Sequence, residues 1–361
     1  MPISEADARS ALSKLVDPNT GKDFVTTRSV KKLSVSGDAV TLEIELGYPG
    51  KSQFEPIRLQ AIEALKAAGA SGAAVTVRSR VVSHAVQRGV KLIPAIKNII
   101  AIASGKGGVG KSTTAANLAL ALAAEGASVG VLDADIYGPS QPTMLGITGR
   151  PESKDGKSIE PMEGHGLQAI SIGFMIDVDT PMVWRGPMVT QALEQLLKDT
   201  RWRELDYLVV DLPPGTGDIQ LTLAQKVPVT GAVIVTTPQD IALIDARKGL
   251  KMFEKVGIPI LGVVENMALH TCPQCGFESH IFGEGGAARM CQDYGTELLG
   301  QLPLDGAIRE QADSGKPTVV ADPDGRVAQI YKRIARRCAV RIAESQKDMT
   351  AKFPNIVVQN T

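Results

Sequence analysis

The chain contains Gly105-Lys106-Gly107-Gly108-Val109-Gly110-Lys111-Ser112-Thr113, and this stretch decides its fold. It matches the phosphate-binding pattern G-x-x-x-x-G-K-[ST], whose glycines let successive backbone N–H groups converge on an anion. A predicted buried strand, 98–103, precedes the loop, and a predicted alanine- and leucine-rich helix, 112–125, follows it. We therefore expect every residue of the loop to bind a nucleotide, with Lys111 at the β- and γ-phosphates and the Ser112 hydroxyl on magnesium.

Strands and helices alternate through the region that surrounds this loop, 98–345, which predicts an α/β fold with a doubly wound, mostly parallel sheet. The further predicted strands are 128–133, 167–172, 207–211, 231–236, 260–265 and 297–302. Each is a near-continuous apolar run, as expected of a strand that is buried on both faces. Ligands of such sheets bind beyond the carboxyl ends of the strands, and the polar motifs of this sequence fall there.

A separate, small α+β domain is predicted for residues 1–80. Its predicted elements are a helix (4–15), two strands (25–35 and 39–46), a helix (54–68) and a strand (74–81). We expect 81–97 to be a linker, 98–345 to be the nucleotide-binding domain and 346–361 to be a tail. A length of 361 residues, about twice that of one typical domain, agrees with two domains.

The composition excludes several classes of protein. Lys and Arg together number 39, as do Asp and Glu, so the chain has no overall charge that would attract nucleic acid or an anionic membrane. The sequence contains neither a signal-peptide pattern nor an apolar run of membrane-spanning length. We therefore predict a cytoplasmic protein with no nucleic-acid or membrane partner, whose four cysteines are metal ligands or free thiols rather than disulfides.

The first lysine of the loop, Lys106, narrows the function further. With it, the loop resembles the deviant Walker A group, GKGGxGK[ST], which includes the MinD and ParA ATPases, the nitrogenase iron protein and the Mrp/ApbC (Nbp35-like) iron–sulfur carriers. The resemblance implies a nitrogenase iron protein-like fold and a homodimer in which Lys106 reaches the phosphates of the other copy. A cation supplied in this way would stabilise the charge on the γ-phosphate during hydrolysis, as an arginine finger does. Lys106 and Lys111 are thus predicted catalytic residues.

Two acidic motifs follow predicted strands. Asp133-Ala134-Asp135 resembles switch I of this group, which implies that Asp135 orients the attacking water as a third catalytic residue and that Asp133 assists near magnesium. A helix cap or turn is the alternative role for these carboxylates. Asp211 resembles a Walker B aspartate, which implies that it holds magnesium through water. The segment after it, 212–218, is predicted to be switch II, whose shape changes with the γ-phosphate.

Two positions are predicted to contact the nucleotide base. Asn266 lies where the resemblance places an adenine-reading asparagine, although its amide could equally bind loop backbone. Pro303-Leu304-Asp305 matches a second base-contacting segment, which implies that Pro303 and Asp305 lie near the base. Adenine is favoured over guanine because the guanine-selecting N-K-x-D string is missing at this position.

A C-x-x-C motif, Cys272-Pro273-Gln274-Cys275, follows Asn266, and it can present two thiolates to a metal. It resembles the CPxC of the Mrp/ApbC carriers, which implies that two cysteines from each copy bind one 4Fe-4S cluster between two copies. A thioredoxin-like redox pair and a zinc knuckle within one chain are the alternatives. The cluster is favoured because one motif supplies two thiolates, and the dimer predicted from Lys106 doubles them.

The zinc knuckle would draw its further ligands from the neighbourhood of the motif. Cys291 and either His270 or His280 could complete a four-ligand site with Cys272 and Cys275. We expect Cys291, on a predicted helix, to be a buried small apolar residue instead. Cys338 is assigned no role.

The N-terminal unit, 1–80, resembles the iron–sulfur assembly domain of MIP-type proteins. Because no cysteine precedes Cys272, this unit offers no thiolate, and we interpret it as a docking module, with a passive appendage as the alternative. The whole sequence thus predicts an ATPase that carries a 4Fe-4S cluster with ATP and magnesium and transfers it to apo-proteins. The alternative function is a MinD- or ParA-like positioning ATPase with a structural zinc knuckle.

Overall fold

The computed structural model of the chain describes residues 3–84, 90–176 and 186–345. Part of the predicted linker, 85–89, and the predicted tail, 346–361, lie outside these ranges. The strands are β1 (Val30–Ser36), β2 (Ala39–Leu46), β3 (Gly72–Ser79), β4 (Ile96–Ala103), β5 (Val129–Asp133), β6 (Met162–Gly164), β7 (Leu167–Ser171), β8 (Leu205–Asp211), β9 (Gly231–Thr236), β10 (Ile260–Thr271), β11 (Glu278–Ser279) and β12 (Leu298–Pro303). The helices are α1 (Glu5–Leu12), α2 (Phe54–Ala67), α3 (Lys111–Ala124), α4 (Gln141–Met144), α5 (Gly186–Asp199), α6 (Asp218–Lys226), α7 (Asp240–Lys255), α8 (Gly286–Asp293), α9 (Gly306–Asp313), α10 (Thr318–Ala321) and α11 (Arg326–Glu344).

The N-terminal domain is a three-stranded sheet with two helices. Strand β1 pairs antiparallel with β2, and β2 pairs parallel with β3 through the crossover helix α2. Helix α1 begins with a capping box, because Ser4 Oγ accepts from the Asp7 N–H at 3.1 Å and the Asp7 carboxylate accepts from the Ser4 N–H at 3.0 Å. The predicted strand 25–35 is wrong in its first half, since the Asp23 carboxylate binds the N–H groups of the next residues and holds a turn there.

The central sheet of the larger domain is mostly parallel, which confirms the predicted α/β class. Its strand order is β11-β10-β9-β4-β8-β5-β7-β6, with β12 also paired to β10. The described pairs are parallel except at β6 and β11, two short antiparallel strands that the sequence did not predict. Strands β5 and β9 are buried along their whole length, which explains their unbroken apolar sequence. The carboxyl ends of the parallel strands therefore share one edge of the sheet.

One strand is longer than predicted. The sequence predicted a strand at 260–265, whereas β10 continues to Thr271 because its outer half finds two partners. Leu269 pairs with Pro303 of β12, and His270 pairs with Ser279 of β11. Strand β10 thus carries the chain from the interior of the sheet directly to the C-x-x-C motif.

A buried polar network joins the two domains. Glu125, at the end of α3, is 1% exposed and forms a salt bridge with Arg336 of α11. Its carboxylate also accepts from the Ser52 hydroxyl at 2.7 Å and from the Ser52 N–H at 3.0 Å. Arg336 further donates to Asn19 at 3.1 Å. The helix that starts at the phosphate-binding loop therefore ends on the N-terminal domain.

Candidate functional site

The phosphate-binding loop connects β4 to α3 and depends on its glycines. Gly108 and Gly110 have φ angles of +80° and +82°, a region that residues with a side chain rarely adopt. Gly105 lies directly against the backbone of Asp245 in α7, and a Cβ atom on it would lie 2.2 Å from the Asp245 carbonyl carbon. The loop is therefore shaped by local backbone geometry and pressed against the start of α7.

Four of the predicted site residues come together at the start of α3. Lys111 is 6% exposed, and its ammonium forms a salt bridge with Asp211, which is fully buried. The same ammonium lies 3.1 Å from Ser112 Oγ and 3.9 Å from a carboxylate oxygen of Asp135. One cluster thus contains the predicted phosphate-binding lysine (Lys111), both predicted magnesium-binding residues (Ser112 and Asp211) and the predicted water-orienting carboxylate (Asp135).

The two switch I carboxylates have different surroundings. Asp133 accepts from the N–H groups of Ser140 at 3.0 Å and Gln141 at 3.1 Å, and from the Ser171 hydroxyl at 3.0 Å. Burial, and then the charge of Asp211, raise the pKa of Asp133 to about 7. These contacts make Asp133 a cap of the loop that leads to α4, the alternative role that the sequence left open. Its role near magnesium stays a prediction.

Asp135 is oriented toward the cluster instead. Burial raises the pKa of Asp135 above its ordinary value, and the nearby Lys111 ammonium opposes that shift. Asp135 therefore lies near the phosphate-binding lysine, and its water-orienting role stays a prediction.

Gln141 is a member of the site that the sequence analysis missed. Its side-chain amide is 1% exposed and donates to Asp211 Oδ2 at 2.8 Å and to the Ser112 carbonyl at 3.1 Å. Its Oε1 accepts no hydrogen bond from the described residues. A glutamine after Ser140 belongs to no phosphate-binding motif. Its contacts with both predicted magnesium-binding residues depend on how the switch I segment folds, which the sequence does not show.

Lys106 differs from Lys111 in its surroundings. It is half-buried, and within the described ranges no salt bridge joins it to a carboxylate, whereas Lys111 has one partner in Asp211 and another carboxylate nearby. Its carbonyl oxygen accepts from the Ser104 hydroxyl at 2.9 Å, which fixes the backbone. The predicted role of Lys106 in the site of another copy stays a prediction.

The predicted base-contacting residues lie on two neighbouring strands. Asn266 donates from Nδ2 to the Val109 carbonyl at 3.0 Å, so its amide binds the phosphate-binding loop, as the alternative interpretation allowed. The carboxylate of Asp305 caps α9 by accepting from the Ala307 N–H at 2.9 Å. Because β10 and β12 are adjacent and parallel, Asn266 and 303–305 share one edge of the sheet.

The C-x-x-C motif forms the tip of a hairpin between β10 and β11, which we call the cysteine hairpin (270–279). The Cys272 N–H donates to the Phe277 carbonyl at 2.9 Å, and the Gly276 N–H donates to the Cys272 carbonyl at 2.9 Å. The backbone N–H of Cys275, and then that of Gln274, lower the pKa of the Cys272 thiol. Cys275 is exposed. The hairpin thus presents two thiols at the surface, with N–H groups that stabilise a thiolate.

The other cysteine and histidine candidates are directed elsewhere. Cys291 is buried, and burial raises the pKa of its thiol to about 11. The Nδ1–H of His280 donates to the Ala268 carbonyl at 2.8 Å, and that of His270 donates to the Leu304 carbonyl at 3.2 Å. Across the part of the chain that the structure describes, no three His, Cys, Asp or Glu side chains converge as a metal site. The geometry therefore does not support a zinc knuckle within one chain.

Cys338 is also buried, and burial raises the pKa of its thiol to about 12.

Among the described residues, no helix combines the length and the apolar character needed to cross a bilayer.

Comparison with known proteins identifies both domains. The profile of the family described as "NUBPL iron-transfer P-loop NTPase" matches residues 95–339, and that of "Iron-sulfur cluster assembly protein" matches residues 5–77. The chain is 61% identical over 269 residues to the iron-sulfur cluster carrier protein of Pseudomonas fragi, which covers 74% of this chain and 94% of that protein. It is 50% identical over 333 residues to the iron-sulfur cluster carrier protein of Escherichia coli (strain K12), with 92% and 90% covered.

A solved structure agrees with the nucleotide-binding fold of the larger domain. The nucleotide-binding protein from Archaeoglobus fulgidus in complex with ADP is 37% identical and superposes with a TM-score of 0.58, covering 66% of this chain and 93% of that one. The resemblance inferred from the loop, the C-x-x-C motif and the N-terminal unit is thereby confirmed. Since the family match spans most of the chain, the protein belongs to the NUBPL-type family of iron-transfer P-loop NTPases.

Proposed function

We propose that this protein is an ATP-hydrolysing carrier that binds an iron–sulfur cluster between two copies of the chain and transfers it to apo-proteins. Membership of the iron-transfer NTPase family and the carrier names of the two relatives support this function. The observation that carries the proposal is the cysteine hairpin, where Cys272 and Cys275 lie at the surface on a turn whose N–H groups favour a thiolate.

The cargo is a cluster held by four thiolates, of which one chain supplies two. Iron–sulfur clusters of the 4Fe-4S type take four cysteine ligands. Because the described residues offer no further ligand close to Cys272 and Cys275, the second pair comes from another copy related by a two-fold axis. Phe277, which follows the motif closely and is exposed, would be covered when two hairpins meet.

The nucleotide site of each copy performs the hydrolysis. Ser112 and Asp211 would hold magnesium with oxygen ligands, which this ion prefers, and a bound magnesium ion neutralises charge on the phosphates. Lys111 would exchange Asp211 for the β- and γ-phosphates when nucleotide binds, and Asp135 would orient the attacking water. Lys106 would enter the site of the other copy, so the dimer is needed for hydrolysis as well as for the cluster.

Nucleotide and cluster are coupled through the dimer. A ligand shifts an equilibrium only by its different affinity for the two states, so ATP must favour one arrangement of the two copies over the other. The exchange of partner at Lys111 and the contact of Lys106 across the interface provide that difference. Hydrolysis then restores the first arrangement of the two copies and changes the affinity of the dimer for the cluster.

The alternative of a positioning ATPase with a zinc knuckle has no structural support in the described residues. No third His, Cys, Asp or Glu side chain converges with Cys272 and Cys275 in the described ranges, and Cys291 is buried.

Anaerobic reconstitution tests the proposed function. The protein is loaded with iron and sulfide, and its visible absorption, its iron and zinc content and its mass by light scattering are measured with and without ATP and magnesium. We expect one cluster for every two copies and a dimer when ATP is present. A strictly monomeric protein, or metal held wholly within one copy, would show that the proposal is wrong.

A further inference from the structure

We propose that His270 is a positioning residue that links the nucleotide site to the cysteine hairpin and transmits the nucleotide state to Cys272. The inference deepens the function proposed above and rests on it, since it names the residue through which that coupling passes. His270 was considered above as a zinc ligand, but its imidazole has a different partner, the carbonyl of Leu304.

Strand β10 runs past the nucleotide site to the cysteine hairpin. In the middle of the strand, Asn266 binds the Val109 carbonyl of the phosphate-binding loop at 3.0 Å. At its outer end, β10 continues through His270 and Thr271 into Cys272. His270 therefore lies four residues along β10 from the contact with the phosphate-binding loop, and the first predicted cluster ligand lies two residues further.

The backbone of β10 departs from regular strand geometry near its middle. Met267 has a φ of +57°, a region that non-glycine residues rarely adopt, and the register with β12 shifts between Glu265 and Leu269. The kink separates the inner half of β10, which is buried in the sheet, from the outer half, 268–271. The position of the outer half is thus set by its own neighbours rather than by the core of the sheet.

One of those neighbours is the base loop, which we define as 303–305. The Leu304 N–H donates to the Leu269 carbonyl at 2.8 Å, and the Leu304 carbonyl accepts from His270 Nδ1 at 3.2 Å. Leu304 thus forms one backbone bond and one side-chain bond with consecutive residues of β10. The base loop and the outer half of β10 must move together while both bonds persist.

The base loop is also the start of a helix. Asp305 caps α9 through the Ala307 N–H, so the loop moves with the first turn of α9. A nucleotide base that contacts this loop with different affinity in two positions would shift the loop, and the His270–Leu304 bond would carry the shift to the residue two places before Cys272.

His280, the residue after the cysteine hairpin, provides a matched comparison. Its Nδ1 donates to the Ala268 carbonyl at 2.8 Å, so it joins the two sides of the hairpin but does not contact the base loop. Loss of either imidazole removes one hydrogen bond to a backbone carbonyl. Only the loss at His270 removes a bond between the hairpin and the base loop, where the backbone bond from Leu304 to Leu269 remains.

The test compares His270→Phe, His270→Asn and His280→Phe with the unaltered protein. Iron release from the loaded dimer to bathophenanthroline disulfonate is timed with ATP, with ADP and without nucleotide. Allosteric couplings are commonly about 5-fold or more, and we expect His270→Phe to bring the three rates together. His270→Asn, whose amide can still donate to Leu304, should restore much of the nucleotide dependence, and His280→Phe should keep it.

A second measurement does not need the cluster. In iron-free protein, the rate at which iodoacetamide alkylates Cys272 and Cys275 should respond to ATP in the unaltered chain and in His280→Phe, but not in His270→Phe. If His270→Phe responds to ATP like the unaltered protein, the assignment of His270 is wrong while the carrier function stands. If the unaltered protein itself shows no response to nucleotide in either measurement, the coupling is absent and His270 has no signal to transmit.

Discussion

The nucleotide pocket and the cysteine hairpin occupy the same edge of the sheet, but their construction is opposite. In the pocket, Lys111 and Asp211 are 6% and 0% exposed and neutralise each other within one chain. In the hairpin, Cys275 is exposed and Phe277 is 69% exposed, with no further ligand among the described residues close by. Under the proposed function, one copy would suffice to bind nucleotide, whereas the cluster would need a second copy.

The two lysines of the phosphate-binding loop, which are five residues apart, also differ in burial and in pairing. Lys111 is buried and paired inside the pocket, and Lys106 is half-buried with no salt bridge to a described residue. A buried charge needs a partner, and the partner of Lys111 is Asp211 of its own chain. Lys106 forms no salt bridge with a described residue, and we expect its ammonium group to act across the dimer interface.

The largest expected effect comes from removing both thiols of the hairpin. In Cys272→Ala with Cys275→Ala, we expect iron to fall to background after anaerobic reconstitution, because the chain keeps no accessible thiolate. ATP affinity, measured by titration with a fluorescent analogue, should not change, since the pocket shares no residue with the hairpin tip. The control Cys291→Ala removes a buried thiol and should keep its iron. Iron retained in the double variant would show that the hairpin cysteines do not hold the cluster.

The next effect concerns the lysine that acts across the interface. In Lys106→Ala, hydrolysis should fall about 10³-fold, the scale of an arginine finger supplied in trans. Nucleotide binding by one copy should persist, because Lys111, Ser112 and Asp211 are intact. The measurement is phosphate release at saturating ATP, alongside the binding titration. Lys248→Ala, which alters an exposed lysine of α7, is the control and should hydrolyse ATP normally.

Mixing two inactive variants makes this prediction sharper. A dimer of one Lys106→Ala chain and one Lys111→Ala chain contains one complete site, since the first chain supplies Lys111 and the second supplies Lys106. Hydrolysis should therefore return on mixing. Failure to recover any activity would mean that Lys106 acts within its own chain.

The sequence predicted the pocket better than its surroundings, for a physical reason. Binding phosphate requires glycine, lysine and hydroxyl groups at fixed spacing along one loop, so the constraint is local and visible in the sequence. The central strands are likewise visible because burial on both faces demands continuous apolar runs. The C-x-x-C motif is local in the same sense.

The contacts that the sequence did not reveal join distant segments. Arg336 and Glu125 are 211 residues apart, Gln141 and Asp211 are 70 apart, and His270 and Leu304 are 34 apart. No periodicity or spacing encodes such pairs, because each depends on how the folded elements meet. The cap at Asp133 was left open for the same reason, since its donors come from three separate positions.

The third prediction concerns the far end of the pocket's own helix. Helix α3 ends at Glu125, which is buried with Arg336, so Arg336→Leu leaves an unpaired buried carboxylate. We expect the free energy of unfolding to fall by about 3 kcal/mol, measured by urea denaturation. Adding Glu125→Leu should recover most of that loss, because an apolar pair replaces the ions. Arg309→Ala, at an exposed salt bridge, is the control. Equal losses in Arg336→Leu and Arg309→Ala would show that the pair does not secure the pocket to the N-terminal domain.

The smallest expected effect comes from Gln141, which contacts the predicted magnesium-binding residues within the same chain. Gln141 holds both Asp211 and the Ser112 carbonyl, so Gln141→Leu leaves these two predicted magnesium-binding residues less well oriented. Loss of a group that orients metal ligands typically weakens metal binding about 10-fold or more, and we expect the magnesium concentration for half-maximal hydrolysis to rise by about 10-fold. The maximal rate at high magnesium should recover, because Lys111 and Asp135 are untouched. Gln168→Leu, whose amide donates to the Arg203 carbonyl at 2.9 Å away from the pocket, should leave the magnesium requirement unchanged. A reduced maximal rate with an unchanged magnesium requirement would instead place Gln141 in the hydrolysis step rather than in the orientation of the ligands.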